Sequence, residues 1–461
     1  MIAFLPEQLA AWTGGHWTAR PAAPLAAFGF DTRKMRVGDV FVALKTDKRD
    51  GHDFLADAAK AGASAALVSA PATAVALPQL VVRDPLAALH AIAREWRRAF
   101  RGPVIGISGS AGKTSTKDLL AILLGGAASG VAATEGNLNN LIGVPVTLTR
   151  LDPAAHRFAV IEAGISEPGE MVRLAAMIEP DVAIITLVEA AHTEALGGLE
   201  GVAREKALLP GAVRPGGLAI LPRQAADFAP FRALRVKKKI LARDGAALGE
   251  TVAFSVAHDG DATLVAITEA GAATAVFRLR RVSDGMAQNA ALAITAARGL
   301  GVTDAQIQAR AAEWRPAKLR AEVRRIDGRL VYLDCYNANP ASMADALDAF
   351  ESIAPAGEPR LYVIGCMAEL GAEAVAHHRA LGRRLRLREG DRLLVIGAHA
   401  EVVCAGVLDQ GNLSRQIQVA QSPDTLAAAF AEWRGAVFIK GSRRYQLEKV
   451  IEGQTSLPLP C

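Results

Sequence analysis

Cysteine is scarce in this chain of 461 residues, which has four, at positions 335, 366, 404 and 461, and no C-x-x-C pair. So few cysteines exclude a disulfide framework and are typical of a reducing compartment. Long apolar runs are missing too, since none approaches the ~18 residues that a membrane span needs. The first residues, Met1–Glu7, lack the basic and apolar regions of a secretory signal. We therefore expect a cytoplasmic monomer without membrane insertion.

The chain also lacks a marked excess of charge of one sign. Lys and Arg number 52 and Asp and Glu number 47, so the net charge is only +5. The densest basic run, Lys237–Lys239, is typical of a solvated strand edge or turn. The sequence therefore does not favour nucleic acid as a partner.

Material for buried cores is abundant, because hydrophobic residues make up 51% of the chain. At about 150 residues per domain, the length predicts about three domains. The pattern of strands, helices and Gly/Pro punctuation places these domains at residues 1–100, 101–316 and 317–461. The chain contains no fixed-period repeat.

The three segments differ in their predicted elements. The first is a small α/β segment with strands at 39–44 and 65–68 and helices at 54–61 and 86–100. In the second, apolar strands at 104–108, 158–161 and 182–185 alternate with helices, which predicts a parallel α/β sheet. Residues 251–282 alternate with turns and predict an antiparallel patch, and helices follow at 286–299 and 304–314. The third restarts the alternation, with strands at 329–333, 361–364, 393–396 and 437–439 and helices at 340–353 and 374–388, which predicts a Rossmann-like, doubly wound domain.

The strongest chemical signal lies between the strand at 104–108 and the next helix. It is the run Gly109-Ser110-Ala111-Gly112-Lys113-Thr114-Ser115. Glycines let backbone N–H groups face phosphates, the helix N-terminus favours an anion, and the lysine reaches the β/γ-phosphates. The full G-x-x-x-x-G-K spacing is not met, because Ile107 occupies its first position. The alternative is a glycine-rich strand–helix turn with a chance Lys-Thr pair.

Two further side chains follow parallel strands of the same segment. Glu162 ends the strand at 158–161, and His192 follows the strand at 182–185. The carboxyl edge of such a sheet is where ligands bind, and both residue types coordinate Mg²⁺ or other metals. Alternatively, Glu162 is a capping or solvated loop acid and His192 an ordinary loop histidine.

Several ordered segments resemble the ATP-dependent Mur ligases of bacterial cell-wall synthesis. The phosphate loop has their G-x-x-G-K-T form, and residues 134–145 resemble their T-x-G-N-x-N-x-x-I-G-x-P segment. The other matching segments are Glu162–Gly164 with Pro168–Glu170, His192–Lys206, Arg320–Glu322 and Asp334–Pro340. The resemblance covers nearly the whole chain and implies the three-domain α/β fold of that family: a UDP-substrate domain, a phosphate-loop ATPase domain and a C-terminal domain for the incoming amine.

Within the family, the chain is most similar to ligases that add D-alanyl-D-alanine to UDP-N-acetylmuramoyl-tripeptide. The segments that carry this similarity are Tyr336–Pro340, Met367–Gly371, Lys440–Arg443, Asp31–Arg33, Gly38–Leu44 and Asp50–His52. The D-N-P-R motif of the ligase that adds the third residue is missing. The resemblance implies ATP and Mg²⁺, an acyl-phosphate intermediate and release of ADP and phosphate. The alternatives are a third-residue-adding ligase, a folylpolyglutamate synthetase-like enzyme, or a non-catalytic nucleotide-binding module that regulates a partner.

The resemblance implies catalytic roles for Lys113, Glu162, His192, Lys206 and Arg320. Lys113 binds phosphate, Arg320 reaches the γ-phosphate, and Lys206 matches a lysine that the family carbamylates; its alternative is a plain surface lysine on a helix. The implied metal ligands are Thr114, Glu162, His192 and carbamylated Lys206.

The resemblance also implies contacts to the substrates. Further nucleotide contacts are Asn289 at the adenine, Asp334 at the ribose, and Asn337 and Asn339 at the nucleotide edge. Uridine contacts are Thr32 and Arg33, and substrate-side loop residues are Asn137, Asn139 and Asn140. Contacts to the peptide or the dipeptide carboxylate are Lys440, Ser442 and Arg443, for which a surface helix is the alternative. We expect the domains to close around the reaction, with hinges near residues 101–103 and 316–318.

Four positions depart from the family pattern. They are Gly285, where a histidine is common; Ser166, in a segment that is commonly Gly-Ala-Asn-His; Leu208, where an acid is usual; and Cys366, where an aspartate is usual. Because the residues implied for ATP are retained, we interpret these as divergence of an active enzyme.

Overall fold

The computed structural model describes residues 2–452 and the backbone of residues 456–458. Met1, residues 453–455 and residues 459–461, and with them Cys461, lie outside the described part. Within that part the strands form three separate sheets, of five, nine and seven strands. The sheets follow one another along the chain, as the three predicted segments do.

The N-terminal sheet has the order β1-β5-β4-β3-β2 and is parallel except where β1 pairs with β5. Its helix α3 begins at Pro85, where the carboxylate of Asp84 accepts the backbone N–H groups of Leu86 (2.8 Å) and Ala87 (3.1 Å). The strands are β1 (His16–Trp17), β2 (Phe28–Gly29), β3 (Val40–Val42), β4 (Ala65–Val68) and β5 (Gln79–Val81), and the helices are α1 (Pro6–Thr13), α2 (Leu55–Lys60) and α3 (Pro85–Ala99).

The central sheet is parallel through seven strands, with the order β12-β11-β10-β9-β6-β8-β7. Every residue of β6 is buried, as expected for a strand covered by helices on both faces. These strands are β6 (Val104–Ser108), β7 (Val131–Ala133), β8 (Phe158–Glu162), β9 (Val182–Ile185), β10 (Leu218–Pro222), β11 (Lys237–Arg243) and β12 (Thr251–Asp259).

The predicted antiparallel patch is present and continues the central sheet. β12 pairs in parallel with β11 on one side and antiparallel with β13 (Ala262–Thr268) on the other, and β13 pairs antiparallel with β14 (Ala275–Arg280). The central helices are α4 (Lys113–Leu123), α5 (Gly143–Thr149), α6 (Glu170–Ile178), α7 (Thr193–Leu196), α8 (Gly198–Gly211), α9 (Arg223–Ala226), α10 (Ala229–Arg232), α11 (Asp284–Gly299) and α12 (Asp304–Ala311).

The C-terminal sheet has the order β19-β18-β17-β20-β16-β15-β21. Its five strands from β19 to β16 are parallel, and β15 pairs antiparallel with both of its neighbours. The strands are β15 (Glu322–Ile326), β16 (Arg329–Asp334), β17 (Arg360–Gly365), β18 (Arg392–Ile396), β19 (Ile417–Val419), β20 (Ala436–Lys440) and β21 (Ser456–Pro458), and the helices are α13 (Pro340–Ile353), α14 (Ala374–Arg384), α15 (Ala400–Leu408) and α16 (Pro423–Glu432).

The structure confirms the strands predicted at 65–68, 104–108 and 182–185 with the same bounds. The helix predicted at 54–61 is instead a 3-10 turn, Gly51–Phe54, followed by α2, because the carboxylate of Asp50 accepts the backbone N–H of His52 and starts the turn earlier. The helix predicted at 374–388 ends at Arg384, and the one predicted at 304–314 ends at Ala311. The domain boundaries at 100/101 and 316/317 stay predictions.

The core of the N-terminal segment is continuous with one face of the central sheet. Phe4, Phe28 and Ile92 belong to the same buried cluster as Leu148 and Ile178. The opposite face of the central sheet packs on α4 and α11, and the C-terminal sheet has its own two cores. In the described residues, no helix is both long and apolar enough to cross a membrane.

Candidate active site

The phosphate loop joins the buried end of β6 to the start of α4. Gly109 has φ +150° and Gly112 has φ +79°, both in the region that favours glycine. A Cβ at Gly109 would lie 1.9 Å from Thr186 Oγ1, and one at Gly112 would lie 2.4 Å from Asn289 Nδ2. Both glycines are therefore required by backbone conformation and by close neighbours.

The loop is fixed to the segment after β9 by Ser110. Its hydroxyl donates to Glu189 O at 2.7 Å and accepts from Glu189 N at 3.0 Å. The ammonium of Lys113 turns back into the loop and donates to Gly109 O at 2.7 Å. Burial lowers the pKa of Lys113, and the negative charge of Glu162 opposes that shift. The loop is thus pre-formed, with a cation at the N-terminus of α4.

Glu162 lies at the end of β8, next to the strand that carries the loop, and is 1% exposed. Its Oε1 accepts from Asn139 Nδ2 at 2.7 Å, while its Oε2 is buried with no hydrogen-bond partner. A buried carboxylate oxygen without a donor is costly unless a cation or water satisfies it. The capping and solvated-loop alternatives for Glu162 therefore do not fit.

His192 and Lys206 face the same region from α7 and α8. His192 caps α7 with φ +55°, and its Nδ1 pairs with the carboxylate of Glu369 from the C-terminal domain. Lys206 is 2% exposed, so the surface-lysine alternative is wrong. Burial, and then the positive charge of Lys113, place the pKa of Lys206 well below its ordinary value.

Arg320 brings the C-terminal domain to the phosphate loop. Its Nη2 donates to Thr114 Oγ1 at 3.2 Å, and its guanidinium stacks 4.0 Å from the ring centre of Tyr336. Its Nε is buried without a hydrogen-bond partner. Arg320, predicted to reach the γ-phosphate, is thus held by the ring of Tyr336 beside Thr114, which is predicted to bind Mg²⁺.

Asn339 makes a second connection between these domains. Its Oδ1 accepts from Ser342 N at 2.8 Å and caps α13, while its Nδ2 donates to Ser110 O at 3.2 Å. Asn289, which lies on α11, is in contact with Gly112, so this residue too is placed at the phosphate loop. Asn337 is exposed, and its Oδ1 accepts from Ala338 N at 2.9 Å.

Lys440 is buried inside the C-terminal domain. Its ammonium donates to Asp334 Oδ2 at 2.6 Å and to Asn337 O at 3.2 Å. It ends strand β20, so the surface-helix alternative is wrong for this residue. In this arrangement Lys440 orients the carboxylate predicted for the ribose.

The remaining predicted residues contact local partners instead of the loop. Arg33 donates twice to Asp31, at 2.9 and 2.8 Å, and this arginine holds the pKa of Asp31 down at about 2. Thr32 lies in the same short turn. Asn140 Oδ1 accepts from Ile142 N and Gly143 N at the start of α5, and Asn137 is exposed. Ser442 is buried, and exposed Arg443 pairs with Glu448.

The residues present fit a Mg²⁺ ion that is bound partly by protein side chains and partly by the phosphates of a nucleotide. The described residues contain no cluster of three or more His, Cys, Asp or Glu side chains able to hold a metal alone. Mg²⁺ is usually bound by one or two carboxylates together with substrate phosphates, not by a closed protein cage. The unpartnered oxygen of Glu162 and the hydroxyl of Thr114 beside the loop meet that requirement.

Comparison with known proteins agrees with this geometry along the chain. Residues 25–97 match the model "Mur ligase family, catalytic domain", 107–297 "Mur ligase middle domain" and 319–443 "Mur ligase, glutamate ligase domain". The chain belongs to the Mur ligase family. It has the three-domain α/β fold of that family.

Individual Mur ligases resemble it over nearly their full length. UDP-N-acetylmuramoyl-tripeptide–D-alanyl-D-alanine ligase of Escherichia coli K12 is 32% identical over 438 residues, which are 93% of each chain. Crystal structure I of MurF from Acinetobacter baumannii superposes with a TM-score of 0.86 and 27% identity, over 97% of this chain and 98% of that one. MurF of Thermotoga maritima in complex with ADP gives a TM-score of 0.78 and 26% identity, over 92% and 96%.

Two departures from the Mur ligase pattern have a structural reason. Gly285 donates its N–H to Asp345 Oδ1 at 2.8 Å, and a Cβ there would lie 2.7 Å from Asp345 Oδ2, so a larger side chain requires the Asp345 carboxylate to move. Cys366 is 1% exposed, and burial raises its pKa to about 11, so this position holds a neutral group where the family usually has a charge.

The other two departures lie on the surface or in a turn. Leu208 is 37% exposed. Ser166 donates its N–H to Glu170 at 2.6 Å.

Sequence reasoning missed Asp345 and the role of Glu369. Both come from the C-terminal domain and contact the central one, Asp345 at Gly285 and Glu369 at His192. The replacement of a common histidine by Gly285 was the available signal for Asp345. Burial raises the pKa of the Asp345 carboxyl.

Proposed function

We propose that this chain is an ATP-dependent amide ligase that joins D-alanyl-D-alanine to UDP-N-acetylmuramoyl-tripeptide in peptidoglycan precursor synthesis. The observation that carries the proposal is the gathering of Lys113, Thr114, Glu162 and Arg320 around one phosphate loop. The relatives named for this reaction, matched over 93% of the chain, support the choice of substrates.

The proposed domains divide the ligands between them. Residues 1–100 bind the UDP end of the first substrate, residues 101–316 bind ATP, and residues 317–461 bind the incoming amine. The presence of separate N-terminal and C-terminal sheets beside the sheet that carries the loop supports this division. Thr32 and Arg33 contact uridine, Asn137, Asn139 and Asn140 line the substrate side, and Ser442 and Arg443 bind the dipeptide end.

The first step activates the terminal carboxylate of the tripeptide. A carboxylate is a poor electrophile, so one of its oxygens attacks the γ-phosphorus of ATP, an O–P bond forms, and the bond to ADP breaks. The phosphoryl oxygens carry the developing charge. Lys113 and Arg320 supply fixed positive charge on two sides of that group, which lowers the barrier.

The second step forms the amide. The neutral amine of D-alanyl-D-alanine attacks the acyl carbon and gives a tetrahedral intermediate. The C–O bond to phosphate then breaks, phosphate leaves, and the proton lost by nitrogen goes to phosphate or water. Closure of the C-terminal domain over the loop excludes water, which would otherwise hydrolyse the acyl phosphate.

Thr114, Glu162, His192 and the carbamylated form of Lys206 are the proposed Mg²⁺ ligands. When bound, the ion neutralises charge on the phosphate oxygens. The lowered pKa of Lys206 favours its neutral amine, which is the form that reacts with carbon dioxide to give a carbamate. Glu205, the residue before Lys206 on α8, has a buried Oε2 without a hydrogen-bond partner.

We also propose a cytoplasmic monomer. The site is built from one chain, and the three cysteines of the described part, Cys335, Cys366 and Cys404, are free thiols, as in a reducing compartment.

The decisive experiment measures phosphate release with the amine acceptor varied. We expect release only with ATP, UDP-N-acetylmuramoyl-tripeptide and D-alanyl-D-alanine together, and none with Lys113→Ala. Turnover with a single diamino acid but not with the dipeptide would assign the chain to a third-residue-adding ligase. Full activity of Lys113→Ala would remove the phosphate-loop assignment, and nucleotide binding without consumption would indicate a regulatory module.

A further inference from the structure

The loop Met367–Gly371 leaves the carboxyl end of β17 and reaches across to the central domain. Glu369 pairs its carboxylate with His192, and Leu370 O accepts from Thr193 Oγ1 at 3.2 Å. A Cβ at Gly371 would lie 3.0 Å from the Cα of Glu194, so the loop backbone sits directly on α7. We call this loop the cross-domain clasp.

The clasp is held from inside the C-terminal domain by a histidine that has no place in the chemistry described above. His378 on α14 is fully buried, and its Nε2 accepts the backbone N–H of Met367 at 2.9 Å. Its Nδ1 lies 2.6 Å from Ala374 O. Since a carbonyl oxygen only accepts, Nδ1 carries the proton and Nε2 the lone pair. One neutral tautomer therefore satisfies both bonds.

The side chains of Met367 and Leu370 are buried in the C-terminal core, and the backbone between and after them is in an unusual conformation. Glu369 has φ +61° and Gly371 has φ +55°, two left-handed residues in a span of three. A non-glycine residue in that conformation costs free energy and persists only where its surroundings fix it. The described hydrogen bond from Met367 to His378 fixes the peptide where the loop leaves the sheet.

We propose that His378 is a positioning residue for amide formation, which acts by holding the cross-domain clasp on α7, the helix that follows His192. The proposal rests on the proposed function and deepens it. The clasp is separate from the contacts that cover the phosphates, because Arg320 precedes β15 and Asn339 caps α13. We therefore expect loss of His378 to lower kcat/KM for the dipeptide more than it lowers nucleotide affinity.

Protonation disables this arrangement. A second ring proton on Nε2 would face the N–H of Met367, donor against donor. The titratable groups that act on the ring are His399, whose ring centre lies 4.6 Å away at the start of α15, and His377 on the same helix. Burial lowers the pKa of His378, and the two histidines lower it further. The clasp is intact above that pKa and weakens as pH falls through it.

The test compares His378→Leu, which removes the acceptor, with His378→Gln, whose amide oxygen reaches the Nε2 position and does not titrate. The matched control is His377→Gln, on the same helix, whose imidazole is 28% exposed and faces Glu373. We expect His378→Leu to lower kcat/KM for the dipeptide about 100-fold. Affinity for a fluorescent ADP analogue should fall much less than this. His378→Gln restores much of the loss and lacks the acidic limb of the pH profile, and His377→Gln matches wild type.

Each outcome decides a separate point. A wild-type enzyme that turns over no dipeptide contradicts the proposed function, whereas an active wild type matched by His378→Leu overturns the role of His378. Equal losses in nucleotide affinity and in acceptor kinetics, with a lowered Tm, would show a merely structural residue. Should His378→Leu fail to fold, His378→Gln alone decides by its acidic limb: a limb identical to that of wild type overturns the proposal.

Discussion

The two domain junctions of this molecule are built in opposite ways. Between the N-terminal and central domains, one apolar cluster runs without interruption from Phe4 to Phe231. Helix α3 packs on α5 and α6, and Trp96 Nε1 donates to Leu151 O at 2.8 Å. Between the central and C-terminal domains, the described contacts are mainly polar, at Thr114, Ser110, Gly285, Thr193 and His192, and Ala190 adds a small apolar contact to a C-terminal cluster.

Arg97 shows how firmly the first junction is fixed. Its side chain is fully buried and donates to Ile178 O (2.8 Å), Glu179 O (2.7 Å) and Asp181 (2.9 Å). A Cβ at Gly102 would lie 2.4 Å from Arg157 O, so the backbone there is packed as well. These contacts argue against the hinge expected near residues 101–103, while the one near 316–318 stays a prediction.

The difference between the junctions indicates which domain can move at a low cost in free energy. Separating the first junction exposes apolar surface to water, and this costs roughly 25 cal/mol of free energy for each Å² exposed. Separating the second exchanges protein hydrogen bonds for bonds to water, each worth about 1 kcal/mol net. We therefore expect the proposed sites for the substrate carboxylate and for ATP to lie on one rigid body, and the C-terminal domain to be the part that opens and closes.

The largest expected effect is that of Arg320→Ala at the polar junction. Removing the only guanidinium described at the phosphate loop should lower kcat about 10³-fold, as for arginines that stabilise a transferring phosphoryl group. Stability should change little, because the stack on Tyr336 is the main packing lost. Phosphate-release kinetics and thermal unfolding measure the two quantities, and a large fall in Tm would blur the contrast between the junctions.

The opposite result is expected for Arg97→Met at the apolar junction. Several backbone carbonyls and Asp181 lose a buried donor, so the free energy of unfolding should fall by about 3 kcal/mol. At a temperature where the variant is folded, kcat should stay near wild type. Urea unfolding and the phosphate assay check this, and a loss of kcat without a loss of stability would place Arg97 in the catalytic machinery.

Hydrogen exchange should rank the junctions directly. Amides of α3 and α6 should open only with global unfolding, and the cross-domain clasp should open at a free energy lower by about 2 kcal/mol or more. A non-hydrolysable ATP analogue should slow exchange of the clasp and leave α3 unchanged. Equal protection of the two regions would refute the comparison.

Substitutions at the exposed edges of both junctions should change stability and activity very little. Arg98 pairs with Glu179 at 3.0 Å with half of its side chain exposed, and Arg281 donates to Ser352 Oγ at 3.1 Å across the other junction. Arg98→Ala should lower the free energy of unfolding by less than about 1 kcal/mol, and Arg281→Ala should change kcat less than about fivefold. A larger effect at either rim would mean that the junction extends further than its described core.

The elements that the sequence predicted well are those whose pattern is local. Strand β6 and the glycine loop follow from an apolar run next to a G-x-x-G-K-T motif, and Glu162 followed from its place at the end of a strand. Lys206 could not be assigned to core or surface, because α8 mixes small, apolar and charged residues. Lys440 reads as a surface cation until β16 and β20 are known to be neighbours.

Contacts between domains were beyond the sequence for a different reason. Gly285 and Asp345 are 60 residues apart, and Glu369 contacts His192 only where the C-terminal domain packs on the central one. No periodicity encodes such a meeting. The family resemblance supplied roles for single residues but not the partners that these residues have in this chain.

The uninterrupted core between α3 and the central sheet also bears on how the chain denatures. Three sheets suggest three melting units, yet the first two share the cluster that contains Phe28 and Leu148. A calorimetric scan should accordingly resolve two transitions, one for the fused N-terminal pair and one for the C-terminal domain. An ATP analogue that contacts both sides of the polar junction should bring the temperatures of the two transitions closer together. The separation of the transitions would then measure how much of the protein has nucleotide bound.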